Sequence, residues 1–339
     1  MQPYLQKLVN KENLTRTEMK AVAELLFSES TSDSEIAAVL MGLSLKGETP
    51  EEIASLVEVL RRHALPFQRR LSGVMDNCGT GGDHSQSFNI SSTSAFVIAA
   101  GGVRVAKHGN RSVSSKTGSA DVLEALGISL DFSVAETEEL LEENGIAFLF
   151  APHVHPKLKQ IMKVRKDLRI PTIFNLIGPL TNPVELETQL LGIYRRERLT
   201  MMAEVLNQLG RKRAIVVNGA GYMDEASLVG ENHLVLMEQG SITEFTLTPE
   251  EVGLTRYPLE AIRGGDTKEN VQILLDVLRG VKGPYFETVL LNSGLAFYAH
   301  GIATTIQEGI ALARESIASG AALEKLEYLI AYSNKRKAG

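Results

Sequence analysis

Three stretches within the first seventy residues open in the same way. Thr15, Ser32 and Thr49 are each followed, three positions on, by a glutamate: Glu18, Glu35 and Glu52. A hydroxyl and a carboxylate at that spacing cap each other's backbone N–H groups, so each pair predicts a helix start. Pro50 falls at the first helical position after Thr49, where its missing N–H costs nothing. Apolar residues then return at helical spacing: Ile36, Val39, Leu40 and Leu43, and Ile53, Leu56, Val57 and Leu60. Helices with one apolar stripe and short connections predict a bundle. Nothing in this stretch has the pattern of a catalytic site, and it suits a subunit interface as well as chemistry.

From about residue 73 the pattern changes. Short apolar runs at 103–106, 146–150, 189–194 and 214–217 suit buried strands, and helical patterns lie near 119–126, 134–143, 156–168 and 197–209. Strand–helix alternation predicts a mostly parallel sheet covered by helices. Residues 233–237 and 242–247, joined through Gln239-Gly240, read as a hairpin near the sheet edge. From Thr267 to Tyr332 the pattern returns to helix. The last basic residues, Lys335-Arg336-Lys337, read as a solvated tail. The fold expected is α/β: a small N-terminal helical domain and a larger α/β domain.

Composition narrows the function classes. The chain has 339 residues, 44% hydrophobic and 22% charged, with a formal net charge of −6. This is a globular balance, long enough for about two domains. A net-acidic chain lacks the cation excess that phosphate backbones reward, which disfavours nucleic acid as a partner. One cysteine, Cys78, makes neither a disulfide framework nor a cysteine-rich zinc site; beside no activating partner, it reads as packing. No apolar run reaches the ~18 residues of a membrane span, and the N-terminus lacks a signal-peptide pattern. A soluble, cytoplasmic protein is the expectation.

Four segments carry candidate chemistry. The run Asp76-Asn77-Cys78-Gly79-Thr80-Gly81-Gly82-Asp83 has three glycines in four positions, which frees the backbone for φ > 0 and lets its N–H groups nest an anion. Ser87 to Thr93 then opens an apolar helical run; Ser91, Ser92 or Thr93 could cap it, and a helix N-terminus is itself an anion site. A flexible turn before an ordinary capped helix would look the same. Neither a Walker loop nor a Gly-x-Gly-x-x-Gly fingerprint is present here. Lys107 to Asp121 follows a strand and gathers three cations, several hydroxyls and two glycines in fifteen residues. That position, at the carboxyl end of a strand, is where open α/β sheets bind ligands. Asp224-Glu225 follows another strand, and adjacent carboxylates suit Mg²⁺ shared with substrate phosphates. The stretch from Arg165 through Phe174 to Pro183 turns repeatedly at Gly-Pro and Asn-Pro steps, as a hinge would.

Together these segments resemble the anthranilate phosphoribosyltransferase family over essentially the whole chain. The Lys107-His108-Gly109-Asn110-Arg111 block, with Gly118-Ser119-Ala120-Asp121 after it, is the most specific part. Gly264-Gly265, Asn270 and Asn292-Ser293-Gly294 resemble it less specifically. The resemblance implies a nucleoside phosphorylase-like phosphoribosyltransferase fold. Its helical domain would span 1–72 with a returning segment near 165–185, and its α/β domain 73–164 and 186–339. It implies a homodimer through the helical domain, no nucleic-acid or membrane partner, and Mg²⁺, two ions per subunit. The reaction implied joins anthranilate to 5-phosphoribosyl 1-diphosphate, in tryptophan biosynthesis. By resemblance, Gly79, Gly82, Asp83 and Ser87 cradle the donor's diphosphate and ribose. Asn89, Ile90, Ser91 and Ser92 supply helix-start contacts. Lys107, His108, Gly109, Asn110, Arg111, Ser112, Val113, Ser114, Ser115 and Ser119 form the loop over the donor. Ser91, Asp224 and Glu225 hold metal, and Asn110 and Arg165 contact anthranilate. Ser87 and Ser92 stand where the family often has Thr. Arg169 and Pro171 stand where it often has Gly and Arg.

The departing diphosphate sets the main catalytic task, stabilisation of developing negative charge. Anthranilate's aromatic amine is neutral near pH 7 and needs positioning rather than a base. A proton must leave afterwards; His108 is the nearest acceptor in sequence, with a packing role as the alternative. His84 adjoins the phosphate loop, and His153 and His155 could line the aromatic site or a plain turn. Two other readings compete: a nucleoside phosphorylase, for which the acidic pair has no use, and a nucleic-acid-binding relative, which the net charge opposes.

Overall fold

A computed structural model of the chain describes residues 1–111 and 117–338. It opens with α1 (Gln2–Val9), α2 (Arg16–Leu26), α3 (Asp33–Lys46) and α4 (Pro50–Arg62). The last three begin on Thr15, Ser32 and Thr49, each with both bonds of the capping box formed. A linker follows and is fastened down: the N–H groups of Gln68 and Arg69 both donate to Glu138 Oε1, at 2.7 and 2.9 Å.

The α/β part runs β1 (Val74–Asp76), α5 (Ile90–Ala100), β2 (Arg104–Gly109), α6 (Ser119–Ala125), α7 (Val134–Glu143), β3 (Ile146–Phe150) and α8 (Ala151–Val154). Then come α9 (Lys159–Leu168), α10 (Phe174–Ile177), β4 (Thr188–Gly192), α11 (Leu199–Gln208), β5 (Arg213–Asn218), β6 (Asn232–Glu238) and β7 (Ser241–Leu247). It closes with α12 (Thr267–Leu278), α13 (Pro284–His300), α14 (Ile306–Ala318) and α15 (Ala321–Ala338). The sheet order is β3-β2-β1-β4-β5-β6-β7. The first five strands are parallel, and β6 and β7 are an antiparallel hairpin at the edge. The chain leaves β1 for β2 on one side and later returns to β4 on the other. The carboxyl ends of β1 and β4 therefore flank the point where strand order reverses, which is where open α/β sheets form a crevice.

Alternation along the strands divides two cores. Leu190, Ile215, Val217 and Leu234 face a core built with α5 and α12–α15. Leu191, Ala214, Val216 and Val235 face the opposite way. That second core includes α1–α4, Ile161 and Val164 of α9, Phe174 to Leu180, and α11. Successive strand residues point to opposite faces, so one strand can serve both.

Three sequence expectations change. β1 is a three-residue strand that the pattern does not signal. Helix α5 is capped at Asn89, not at Ser91, Ser92 or Thr93: Thr93 Oγ1 donates back to the Asn89 carbonyl at 2.9 Å, which places it inside the first turn. The basic C-terminus is no loose tail, since α15 continues through it and Arg336 pairs with Asp131 and Glu136.

Candidate active site

β1 ends at Asp76, and the glycine loop leaves from it. Gly79 forms a parallel bridge with Gly192 at the end of β4, and Thr80 N–H donates to the Gly192 carbonyl at 2.9 Å. Gly81 and Gly82 have φ of +71° and +81°, conformations that glycine adopts without strain. The loop thereby turns its backbone toward the segment after β5. Gly81 N–H donates to Asp224 Oδ2 at 2.6 Å, and Asp224 N–H to Asp83 Oδ2 at 3.4 Å.

Glycine permits this approach at three places. A Cβ on Gly79 would meet the Asp224 carboxylate, one on Gly192 the Asp224 carbonyl, and one on Gly219 the Glu225 carbonyl. Asn292 holds the turn from behind, accepting from Ala226 N–H at 3.0 Å and donating to its carbonyl at 2.9 Å. That gives the Asn292 resemblance a physical reason. Gly192 and Gly219 carry no sequence signal, because their neighbours are distant in the chain.

The N-terminus of α5 closes the recess, and Ser91 N–H donates to Glu225 Oε1 at 3.2 Å. Asp83, Asp224 and Glu225 are half-buried together. Burial, then the charges of Asp83 and Glu225, raise the Asp224 carboxyl well above the usual range. Burial raises Glu225 to about 7, against the lowering pull of Lys107. Neither makes an ion pair among the described residues. Crowded carboxylates without a contacting cation form a donor set for a hard cation. Among the described residues no three His, Cys, Asp or Glu form a ready-made cage. That fits Mg²⁺, which takes one or two carboxylates and fills its shell with water and substrate phosphate.

The other candidates fall into groups. Ser87 bridges Arg263, and Ser85 Oγ donates to its hydroxyl at 3.2 Å. Asn89 is held by Asn270 Nδ2 at 3.1 Å. Ile90 and Ser92 bury their side chains, so they present only backbone to a ligand. Lys107 is buried beside the loop, its ammonium reaching the carbonyls of Asn77 and His108 at 3.5 and 3.3 Å. Gly109 is wedged against Phe148 and Ser119. Asn110 is exposed, with its carbonyl accepting from Ser119 Oγ at 3.0 Å. Arg111 reaches across to α6, paired with Asp121 at 2.7 Å and Glu124 at 2.9 Å. Ser112, Val113, Ser114 and Ser115 lie outside the described residues. His84 is exposed beside the loop, and Cys78 is pushed up to about 12 by burial, which suits packing.

A second cluster joins the hinge to β2. The Arg165 guanidinium stands 5.3 Å from the Phe174 ring centre and 3.4 Å from Asn175 Oδ1. His108 donates from its ring to the Gly178 carbonyl, and its ring meets that of His155 edge-on at 5.6 Å. His155 is held in turn by the Thr181 carbonyl. Burial lowers both imidazoles, to about 3 and about 4, so both are neutral at physiological pH. Nε2 of each is buried without a partner among the described residues. His153 is tied to the Phe132 carbonyl at 3.0 Å, as part of a turn.

Comparison with known proteins gives the family. Residues 71–323 match the α/β domain of a glycosyl transferase family, and residues 2–64 match its helical bundle domain. Anthranilate phosphoribosyltransferase of Bacillus cereus strain B4264 is 59% identical over 336 residues, 99% of this chain and 98% of that protein. The protein of that name from Exiguobacterium sibiricum is 62% identical over 329 residues, 97% of each. The crystal structure of the Thermus thermophilus enzyme superposes with a TM-score of 0.92 at 43% identity, covering 97% of this chain and 99% of that one. The Saccharomyces cerevisiae enzyme in complex with PRPP and Mg gives 0.89 at 28% identity, covering 98% and 97%. The chain belongs to the anthranilate phosphoribosyltransferase family.

Proposed function

We propose that this chain transfers the phosphoribosyl group of 5-phosphoribosyl 1-diphosphate to the amine of anthranilate, and that the crevice at the strand-order reversal is where it does so. The products are N-(5-phosphoribosyl)anthranilate and diphosphate, and the step belongs to tryptophan biosynthesis. One observation carries the assignment of the site. The glycine loop, the start of α5 and the Asp224-Glu225 turn lie far apart in sequence, yet they meet through hydrogen bonds at one point.

The loop N–H groups of Gly79 to Asp83 and the N-terminus of α5 receive the donor's phosphates, with Lys107 as the buried cation. Asp224, Glu225 and the Ser91 hydroxyl hold Mg²⁺, two ions with the donor's help. When bound, Mg²⁺ neutralises charge on the departing diphosphate. Asn110 and Arg165 orient anthranilate, Arg165 by pairing with its carboxylate. Phe174 keeps the guanidinium in place. Holding amine and anomeric carbon in line supplies the entropic part of the acceleration.

His108 Nε2 is the proton acceptor of this scheme. Its ring N–H is committed to Gly178, which leaves Nε2 with a free lone pair. A nitrogen attached to an aromatic ring and a developing cation is strongly acidic, so even a weak imidazole base suffices. The subunit is proposed to work as a homodimer through the helical domain. Its substrate is a polyanion that does not cross membranes, which favours the cytoplasm. No helix among the described residues is long and apolar enough to span one.

The decisive experiment follows anthranilate fluorescence with purified protein. A decay that needs both donor and Mg²⁺ supports the reaction; no decay with folded protein refutes it and directs attention to nucleoside phosphorolysis. Arg165→Ala should raise KM for anthranilate at least roughly tenfold, the size of a lost charged hydrogen bond, and leave the donor KM near wild type.

A further inference from the structure

Asp76, the last residue of β1 and the first of the glycine-loop motif, is fully buried and has no role in the scheme above. Its Oδ1 accepts from the His108 N–H at 3.3 Å, and its Oδ2 from Asn182 Nδ2 at 3.0 Å. Both donors are neutral. A buried carboxylate with neutral donors alone is costly, so a counter-charge is expected nearby.

Lys107 is the largest counter-charge, and the buried Arg211 guanidinium also interacts with Asp76. Lys107 is itself buried, and among the described residues it makes no direct ion pair. Its ammonium reaches the carbonyls of Asn77 and His108. Asn77 is the residue after Asp76, and His108 is the residue whose N–H Asp76 accepts. Carboxylate and ammonium therefore share both backbone neighbours without touching. Burial raises the Asp76 carboxyl, and Lys107 is the largest charge opposing that rise.

We propose that Asp76 is a positioning residue: a fixed, buried counter-charge that holds the Lys107 ammonium in place for the donor's phosphates. This rests on the role given to Lys107 above. Asn182 extends the arrangement to the hinge. Besides Asp76, it donates to the Ala106 carbonyl at 2.8 Å and accepts from Val184 N–H at 3.0 Å.

The test is a double-mutant cycle read by calorimetric titration of inorganic diphosphate with Mg²⁺. Asp76→Asn alone should weaken diphosphate binding roughly tenfold. In a Lys107→Gln background the same change should cost nothing further. In turnover, Asp76→Asn should lower kcat/KM for the donor and leave KM for anthranilate within about twofold of wild type. Unchanged diphosphate binding in Asp76→Asn, or losses that multiply in the double variant, overturns the proposal. If Asp76→Asn does not fold, the double variant decides: folding with the affinity of Lys107→Gln supports it. Failure to fold while Lys107→Gln folds assigns Asp76 to architecture and overturns it. If wild type binds diphosphate yet consumes no anthranilate, the proposed reaction fails while this cycle still reads the Asp76–Lys107 coupling.

Discussion

Arg169 ends α9 in the left-handed conformation, with φ +54° and ψ +30°. It is exposed and makes no ion pair among the described residues. A side chain there costs roughly 1–2 kcal/mol, less what glycine adds in unfolded-state freedom. Arg169→Gly should therefore stabilise the protein by about 0.5–1 kcal/mol in urea unfolding; a loss of stability would show that the guanidinium has an unseen role. The left-handed backbone gives a physical reason for the glycine that the resemblance places at this position. At Glu225 the effect is on pH. Its carboxyl titrates at about 7 when folded, against an ordinary 4.5. Between these values the folded protein holds a proton the unfolded chain has released, so metal-free stability falls as pH rises through that window. Mg²⁺ binds the ionised form and reverses the trend. Thermal melts should show a larger Mg²⁺-induced rise in Tm at about pH 8 than at about pH 6. Equal rises would remove Glu225 from the metal site.

Among elements, the tightest fit is between strand ends and the acidic turn. Gly192 closes β4 directly against the Asp224 carbonyl, so any side chain there must displace the turn. Gly192→Ala should reduce Mg²⁺-dependent activity by an order of magnitude or more, the scale of roughly ångström-sized misplacement. Gly230→Ala, whose Cβ would meet only Ala220 at 3.7 Å, is the control and should stay near wild type. Equal activities in the two variants would mean that the turn adapts freely. Helix α5 contributes through the backbone of its first turn as well as through the Ser91 hydroxyl. Asn89 caps it without a side-chain bond, which leaves first-turn N–H groups to Glu225 and to ligand.

At the scale of the molecule, the helical part shares its core with one face of β4–β6, while the other face serves α13. The hinge segment between α9 and β4 is keyed into the sheet by buried groups: Gln189 Nε2 donates to the Pro179 carbonyl at 2.7 Å. Val9 and Leu45, at the ends of the packed helices α1 and α3, are 76% and 74% exposed. Large apolar side chains left on adjacent helices suit a subunit contact. Sedimentation should give about twice the chain mass of 36.9 kDa, and Val9→Glu with Leu45→Glu should shift it toward one chain with unchanged helicity. A monomeric wild type would refute the dimer.

Local rules settled much of this from sequence alone. Capping boxes at Thr15, Ser32 and Thr49 depend on residues three apart, and the strands read at 146–150 and 214–217 on uninterrupted apolar runs. The glycine loop and the acidic pair were equally legible, because short motifs carry their own chemistry. What lay beyond reach depends on contacts between distant segments. Three-residue β1 has too few positions for a period, and its place in the sheet comes from β2 and β4 on either side. Gly192 and Gly219 matter only because the Asp224-Glu225 turn folds onto them. His108 and His155 read as open candidates until burial showed two neutral rings joined through the hinge carbonyls. Asp76 heads the glycine motif, but its role has no local sign, because its partners are 31 and 106 positions away along the chain, at Lys107 and Asn182. Sequence determines periodicity and local capping, whose interactions span a few residues; burial, charge balance and close approach are set by which segments the fold brings together.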